Sequence, residues 1–233
     1  MPYNRSHDKT KEGRAMNTPA KLETHLHTCE VSGCGMVHAD EMMRLHHAAG
    51  YHAVVVTDHF LPDSFESRAA RASFLTGFRL ARAAGEALGM TVLPGMEIRF
   101  AAGPEDFLVY GLTEESILSL PDDVCDRGVT AFHALCRQKG WLLYQAHPFR
   151  AGLRVMPAAD LDGIETRNCN PRHNSHNDLA KAYADTYGLL TLCGSDAHQV
   201  EDVGAGGILA PQDVLTPTGL VDYLRSTREP SFL

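Results

Sequence analysis

Eight short candidate strands, most of them continuous apolar runs, punctuate this 233-residue chain, and no other feature restricts its possible folds as much. They lie at Lys21–His25, Ala53–Thr57, Thr91–Leu93, Phe107–Tyr110, Trp141–Tyr144, Gly163–Thr166, Leu189–Leu192 and Gly207–Leu209. Runs this short, rich in Val, Leu and Ile, read as strands buried on both faces. Interleaved with them, and after the last, are five segments with helical periodicity: His38–Ala49, Ser64–Leu88, Val129–Lys139, His176–Tyr187 and Thr218–Ser226. Gly50 and Gly89 supply C-terminal stops. Asp63 and Glu66 form a capping-box pattern at the start of the longest segment. Within it Phe74 and Phe78 share one face, and Arg68, Arg71, Arg79 and Arg82 are expected to point into solvent.

Repeated strand–helix units predict an α/β domain of parallel strands with right-handed crossovers. The expected form is a TIM-barrel-like, irregular barrel of seven or eight units, with a doubly wound open sheet as the alternative. The domain is expected over 21–233, after a flexible, polar N-terminal tail over 1–20. Neither G-x-G-x-x-G nor a Walker motif is present, so a glycine-rich phosphate loop is not expected.

The net charge of −8 argues against a general nucleic-acid binder. It does not exclude an anionic substrate, because bound metal ions invert the local charge. No apolar run reaches the length of a membrane span, and the first twenty residues lack a signal-peptide core. The six cysteines form no C-x-x-C pair, so reduced thiols and a cytoplasmic location are expected.

Thirteen histidines are present, and several share one address with carboxylates. His25 and His27 end the first run, Asp58 and His59 the second. Glu97 follows the third, His147 follows "WLLYQA", Glu165 follows "LDGI", and Asp196 and His198 follow "LLTLCGS". The C-terminal ends of barrel strands share one rim, so residues distant in sequence converge there. A lone histidine is usually a packing or surface residue, but recurrence at successive strand ends is not explained that way. Residues i and i+2 of a strand point to one face, so His25 and His27 can present two imidazoles to one ion. Glu97 can bridge two ions. Imidazole with carboxylate suits Zn, Mn or Fe. Two ions about 3.5–4 Å apart can activate water and clamp phosphate oxygens. "CGSDAH" lacks the G-x-S-x-G elbow of a serine hydrolase.

In order, "HLHT", "TDH", "GMEI", "AHP" and "GSDAH" resemble the motifs of the polymerase and histidinol phosphatase (PHP) family, from about Glu23 to His198. The resemblance implies a distorted seven-stranded (β/α)7 barrel with two or three divalent ions. It implies a first ion on His25, His27, Glu97 and Asp196, a second sharing Glu97 and using His147, and a third on His59 and His198. Asp58 would orient a ligand histidine from behind. Two departures from the family pattern bear on the ligand count. Near the fourth strand only Glu105 or Asp106 replaces a usual His. After the H-x-H, "HTCEVSGCG" offers Glu30 or Cys34, of which the ionised Glu30 is the expected ligand. Asp196 and His198 are candidates for the catalytic cluster. Arg150 and Arg172 are candidates for gripping phosphate, with Arg99 a weaker third. His173 and His176 are expected at the surface or against substrate, and His38, His46, His47, His52 and His133 on helix surfaces or in packing.

The function expected is hydrolysis of a small phosphorylated substrate, histidinol-phosphate-like or a nucleotide phosphate, with no membrane partner. A short-oligonucleotide nuclease is a close variant. An amidohydrolase-type C–N hydrolase and a non-catalytic metal-binding module are the competing classes. The extra "TDH" and D-x-H ligands favour the phosphoesterase.

Overall fold

The computed structural model describes residues 19–65 and 67–233. Most of the expected tail and Glu66, half of the expected capping box, lie outside the described residues; Ala20 already stands in the first strand. The strands are β1 (Ala20–Leu26), β2 (Ala53–Val56), β3 (His59–Phe60), β4 (Thr91–Pro94), β5 (Met96–Arg99), β6 (Asp106–Tyr110), β7 (Leu142–Gln145), β8 (Gly163–Asn168), β9 (Leu190–Gly194), β10 (Ile208–Ala210) and β11 (Ser231–Phe232). The α-helices are α1 (Ala39–Ala48), α2 (Arg68–Leu88), α3 (Glu114–Leu118), α4 (Gly128–Lys139), α5 (Asn177–Tyr187) and α6 (Pro217–Thr227).

The fold is mixed α/β with two sheets, ordered β11-β10-β1-β2-β4 and β3-β5-β6-β7-β8-β9. A parallel bridge between Leu26 and Ala197 links the end of β1 to the chain just past β9. The all-parallel expectation needs correction. β6 runs antiparallel to both β5 and β7, and β10 antiparallel to β1. The six residues between Arg99 and Asp106 cannot carry a helical crossover, so β5 and β6 form a hairpin.

Successive strand residues feed two different cores. Ala53, Val55, Leu108, Tyr110, Leu142 and Tyr144 pack in one cluster, closed by Leu220, Val221 and Leu224 of α6. Their neighbours Val54, Val56, Phe107, Val109 and Leu143 pack in another, with α1 and α2. Both faces of these strands are therefore buried, as their continuous apolar runs require.

β1 breaks this alternation. Its pairing with β2 shifts register between Glu23 and Leu26. Such a bulge re-aims side chains and frees backbone N–H groups. The Glu23 carboxylate takes up the freed groups: Oε1 accepts from the N–H of Thr24 (2.9 Å), His25 (2.9 Å) and Ser195 (3.0 Å). Buried among donors that outweigh its desolvation, among them His46, Glu23 is held below the usual carboxylate range.

α2 begins later than the sequence suggested. Ser67 is its N-cap, accepting from the Ala70 N–H at 3.1 Å, and Gly89 closes it at φ 73°. Arg71 does not point outward: it is 3% exposed, with Nη2 on Asp122 (2.9 Å) and Nε on the Leu118 carbonyl (3.3 Å). The other three arginines are exposed in ion pairs, Arg68 with Glu115, Arg79 and Arg82 with Glu114. Gly77 faces the site from this helix, and an added Cβ would collide with Thr28 and Asp58. Gly77→Ala is expected to destabilise by about 1–3 kcal/mol from overpacking, despite alanine's better helix propensity. Urea unfolding checks this; a more stable variant would refute it.

Candidate metal centre

The strand ends do converge. His25 Nε2 and His27 Nε2 lie 3.2 Å apart. His25 Nδ1 hydrogen-bonds Glu165 Oε1 at 2.9 Å, and His27 Nδ1 meets Ser32 Oγ at 3.2 Å. With each Nδ1 engaged outward, both Nε2 atoms face the same point. Asp196 Oδ1 is 3.4 Å from each Nε2. Glu97 Oε1 lies 3.4 Å from His25 Nε2 and 3.3 Å from His147 Nε2, and Oε2 lies 3.3 Å from His27 Nε2. Glu97 is fully buried, and neither oxygen has a hydrogen-bond partner. His59 Nδ1 stands 2.9 Å from Oε2, yet both atoms stay unpartnered because the approach lacks hydrogen-bond geometry.

A buried carboxylate with no donors is costly unless a cation compensates it. Ligand atoms about 2.0–2.2 Å from one tetrahedral ion would lie roughly 3.4 Å apart, the spacing seen here. The residues present therefore fit a divalent metal. His25, His27, Glu97 and Asp196 would hold one ion, and Glu97 with His147 would supply part of a second site. His59 and His198 would serve a third; with His27 they place ring nitrogens within 4.8 Å of one another.

Electrostatics tell the same story. Burial works against charge on His25, but Asp196, Glu165 and Glu97 raise its pKa well above the usual value. Burial and the charge of His59 push His27 down to about 3. Burial raises and the His25 and His27 contacts lower Asp196, which ends far below the ordinary carboxylate range. Glu97 is likewise lowered, burial being outweighed by His59 and His25. Positive charge is what this pocket of donors demands.

Several groups outside the donor set hold it in place. Glu165 Oε2 accepts from the His147 N–H (3.0 Å) and Asn168 Nδ2 (2.9 Å), and Asn168 Nδ2 also reaches Asp196 Oδ2 at 3.2 Å. His147 and Asp196 sit at φ 30° and 53°, a conformation non-glycine residues adopt only when their surroundings enforce it. Asp58 acts through Ser32: its Oδ1 accepts from Ser32 Oγ and the Thr28 N–H, both at 2.7 Å, and Ser32 in turn meets His27. Gly194 lets β9 pass behind His25; an added Cβ would collide with His25 Cβ.

Other expectations need correction. Glu30 is not at the rim: both its oxygens accept from the Ala39 N–H at 3.1–3.2 Å, because α1 starts there with an open N–H. Cys34 lines the cavity instead, together with His59 and His198. Burial raises this thiol, but those histidines outweigh it and lower it to about 6. Asp106 is already paired with Arg99 by two 2.8 Å hydrogen bonds, although it lies within ligand distance of His59 and Glu97. Arg172 is not free either: Nη1 and Nη2 donate to Asp202 at 2.6 Å each. Asp202, which has no motif signature, also accepts from the His198 and Gln199 N–H groups, so it fixes the turn bearing His198. Arg150 contacts His173 at 3.5 Å and has no carboxylate partner among the described residues. His46 takes the packing alternative: it is fully buried, with Nε2 3.9 Å from Glu23.

The cluster opens into a cavity of about 530 Å³ lined by Cys34, Arg99, Arg150, Arg172, His173 and Gln199, among others. Acidic and imidazole groups form its floor and guanidinium groups stand around it.

Fold and site together describe an α/β protein with a candidate polynuclear metal centre. The PHP-associated family model matches residues 174–228, the segment bearing Asp196 and His198. No curated protein matches the chain. Among solved structures, it is similar to a two-domain protein from Bacteroides vulgatus containing a predicted PHP-like metal-dependent phosphoesterase. That match has a TM-score of 0.63 at 19% identity and covers 91% of this chain but 64% of the other, so this chain spans under two thirds of that protein. A protein assigned as a metal-dependent phosphoesterase from Bifidobacterium adolescentis matches with TM-score 0.58 and 18% identity, covering 91% of this chain and 98% of that one. An amidohydrolase from Chromobacterium violaceum, with bound sulfate and no metal, matches with TM-score 0.55 and 18% identity, covering 92% and 98%. The resemblance to the PHP family carried by the ordered motifs is borne out by the matched PHP-associated segment and the shared fold. Among the described residues, no helix is long and apolar enough to cross a membrane.

Proposed function

We propose that this protein is a metal-dependent phosphoesterase that hydrolyses a small phosphate ester, histidinol-phosphate-like or a nucleotide phosphate, with metal-activated water. The observation that carries the reading is the fully buried, unpartnered Glu97 carboxylate at the meeting point of His25, His27 and His147, beneath a cavity edged by guanidinium groups. When bound, two or three divalent ions (Zn, Mn or Fe) would activate water and polarise the ester. The chain's own part is to hold these donors in place and to seat the phosphate. Arg150 is the candidate for that seat, since Arg99 and Arg172 are committed to Asp106 and Asp202. A cavity edged by fixed positive charge suits a phosphate better than the neutral amide of a C–N hydrolase.

The same reading takes the two sheets as one distorted barrel of seven staves: β1, β2 with β3, β4 with β5, β6, β7, β8 and β9. In support, β4 and β5 are separated by Gly95 alone, and Leu26 pairs with Ala197 across the remaining gap.

The test is phosphate release from a panel of phosphomonoesters with added Mn²⁺, with and without chelator. Release that chelation abolishes supports the reading; C–N hydrolysis without phosphate release overturns it. Arg150→Ala is expected to cost about 1.5–3 kcal/mol in kcat/KM, the worth of a charge-assisted hydrogen bond, with metal content unchanged. Unaltered kinetics would return Arg150 to the surface.

A further inference from the structure

A second cluster of metal-type donors lies outside the central site, on the segment joining β1 to α1. Cys29 Sγ is 3.1 Å from His38 Nδ1, and His38 Nδ1 is 3.0 Å from Glu30 Oε1. The three residues bring a thiol, an imidazole and a carboxylate within 4.8 Å of one another. Capping of α1 accounts for Glu30, whose oxygens face the Ala39 N–H. It does not account for the thiol and imidazole gathered on the same carboxylate.

We propose that Cys29, Glu30 and His38 form a separate, peripheral zinc site that pins the β1–α1 loop. The donor set has the softness zinc prefers, sulfur with imidazole and carboxylate. Thiolate and carboxylate together carry two negative charges, so a divalent ion leaves the cluster neutral. His38 binds through Nδ1, and its Nε2–H stays in water, since the side chain is 74% exposed. Three protein ligands with one side open leave a fourth position to water. Zinc binds the thiolate, so binding releases the Cys29 proton to solvent and strengthens as pH rises.

The position gives the site a purpose. Cys29 and Glu30 open the loop and His38 closes it, and the Cys29 N–H already donates to the Val37 carbonyl at 3.1 Å. Midway along this loop Cys34 lines the cavity alongside His59 and His198. An ion tying the loop's two ends would fix Cys34 in the cavity. The site is independent of the phosphoesterase reading, because it uses none of the central donors.

The experiment is titration of the chelator-stripped full chain with Zn²⁺ alone, against a competing chromophoric chelator. Comparison is made with Cys29→Ser, His38→Ala, Cys34→Ser and Glu97→Gln. In the Glu97→Gln background, adding His38→Ala is expected to remove one zinc equivalent. His38→Ala alone should weaken that equivalent at least tenfold. With Co²⁺ in place of zinc in the Glu97→Gln background, a thiolate charge-transfer band should survive Cys34→Ser and vanish in Cys29→Ser. Unchanged stoichiometry and affinity in His38→Ala, an exposed substitution that leaves the fold intact, would overturn the site. So would a cobalt band that depends on Cys34 alone.

Discussion

Glu97→Gln is expected to lower phosphate-ester hydrolysis on the order of 10³-fold, with loss of at least one ion from the central cluster. The side chain is isosteric, so the effect isolates charge. Glu97 is fully buried, neither oxygen is hydrogen-bonded, and three imidazole Nε2 atoms stand at 3.3–3.4 Å. A carboxylate in that position can bridge two ions, and a neutral amide cannot. A metal contributes several kcal/mol of transition-state stabilisation, and each 1.36 kcal/mol is a tenfold change in rate. The metal-free variant should still fold, because glutamine keeps the shape of the side chain in its buried position. The separating measurement is the rise in Tm on adding Mn²⁺, which reports affinity for the folded state. That rise should shrink sharply in Glu97→Gln. A variant with the parent's metal-dependent Tm and rate would remove Glu97 from the centre.

Much of this architecture was legible in the sequence. All eight runs coincide with strands; most are apolar because both faces are buried, whereas Lys21–His25 has only Leu22 as an apolar residue and buries Glu23, Thr24 and His25 in the site. Two-residue β3 and β11, four-residue β5 and five-residue α3 were missed, being too short to show a period. The direction of β6 was misread because a short apolar run carries no sign of its orientation; only the brief link from Arg99 gives it away. His25, His27, Glu97, His147 and Asp196 were found because their chemistry recurs at one address. Glu30 was preferred to Cys34 on ionisation alone, but the first helix begins at Ala39 and its open N–H claims the carboxylate. Glu23 and Asp202 left no motif, since their work is to accept backbone N–H groups released by a bulge and a turn. Arg172 was expected to be free because Asp202, thirty residues away, gave no sign that it would claim both Nη atoms.

Glu165 holds two sides of the cluster at once, and its substitution is expected to show how far the candidate ligands depend on their supports. Oε1 takes the Nδ1–H of His25, which aims Nε2 at the centre. Oε2 takes the N–H of His147, whose backbone is held at φ 30°. It also takes Asn168 Nδ2, which reaches on to Asp196. Glutamine has one acceptor where three donors need two, so its amide must confront either His25 or His147 with another N–H. The imidazole of His25 can then turn, or the strained turn at His147 can relax. Loss of such an outer partner ordinarily costs about 10–100-fold in metal affinity or activity, and Glu165 supports two candidate ligands together. Glu165→Gln is therefore expected to weaken metal activation about 100-fold. Its signature is a displaced metal-saturation curve with much of kcat recovered at high Mn²⁺, because the donors themselves are intact. Glu165→Asp should recover part of the affinity by restoring the charge. A merely structural role would instead lower stability and leave the half-saturating metal concentration where it was, and that outcome would sink the assignment.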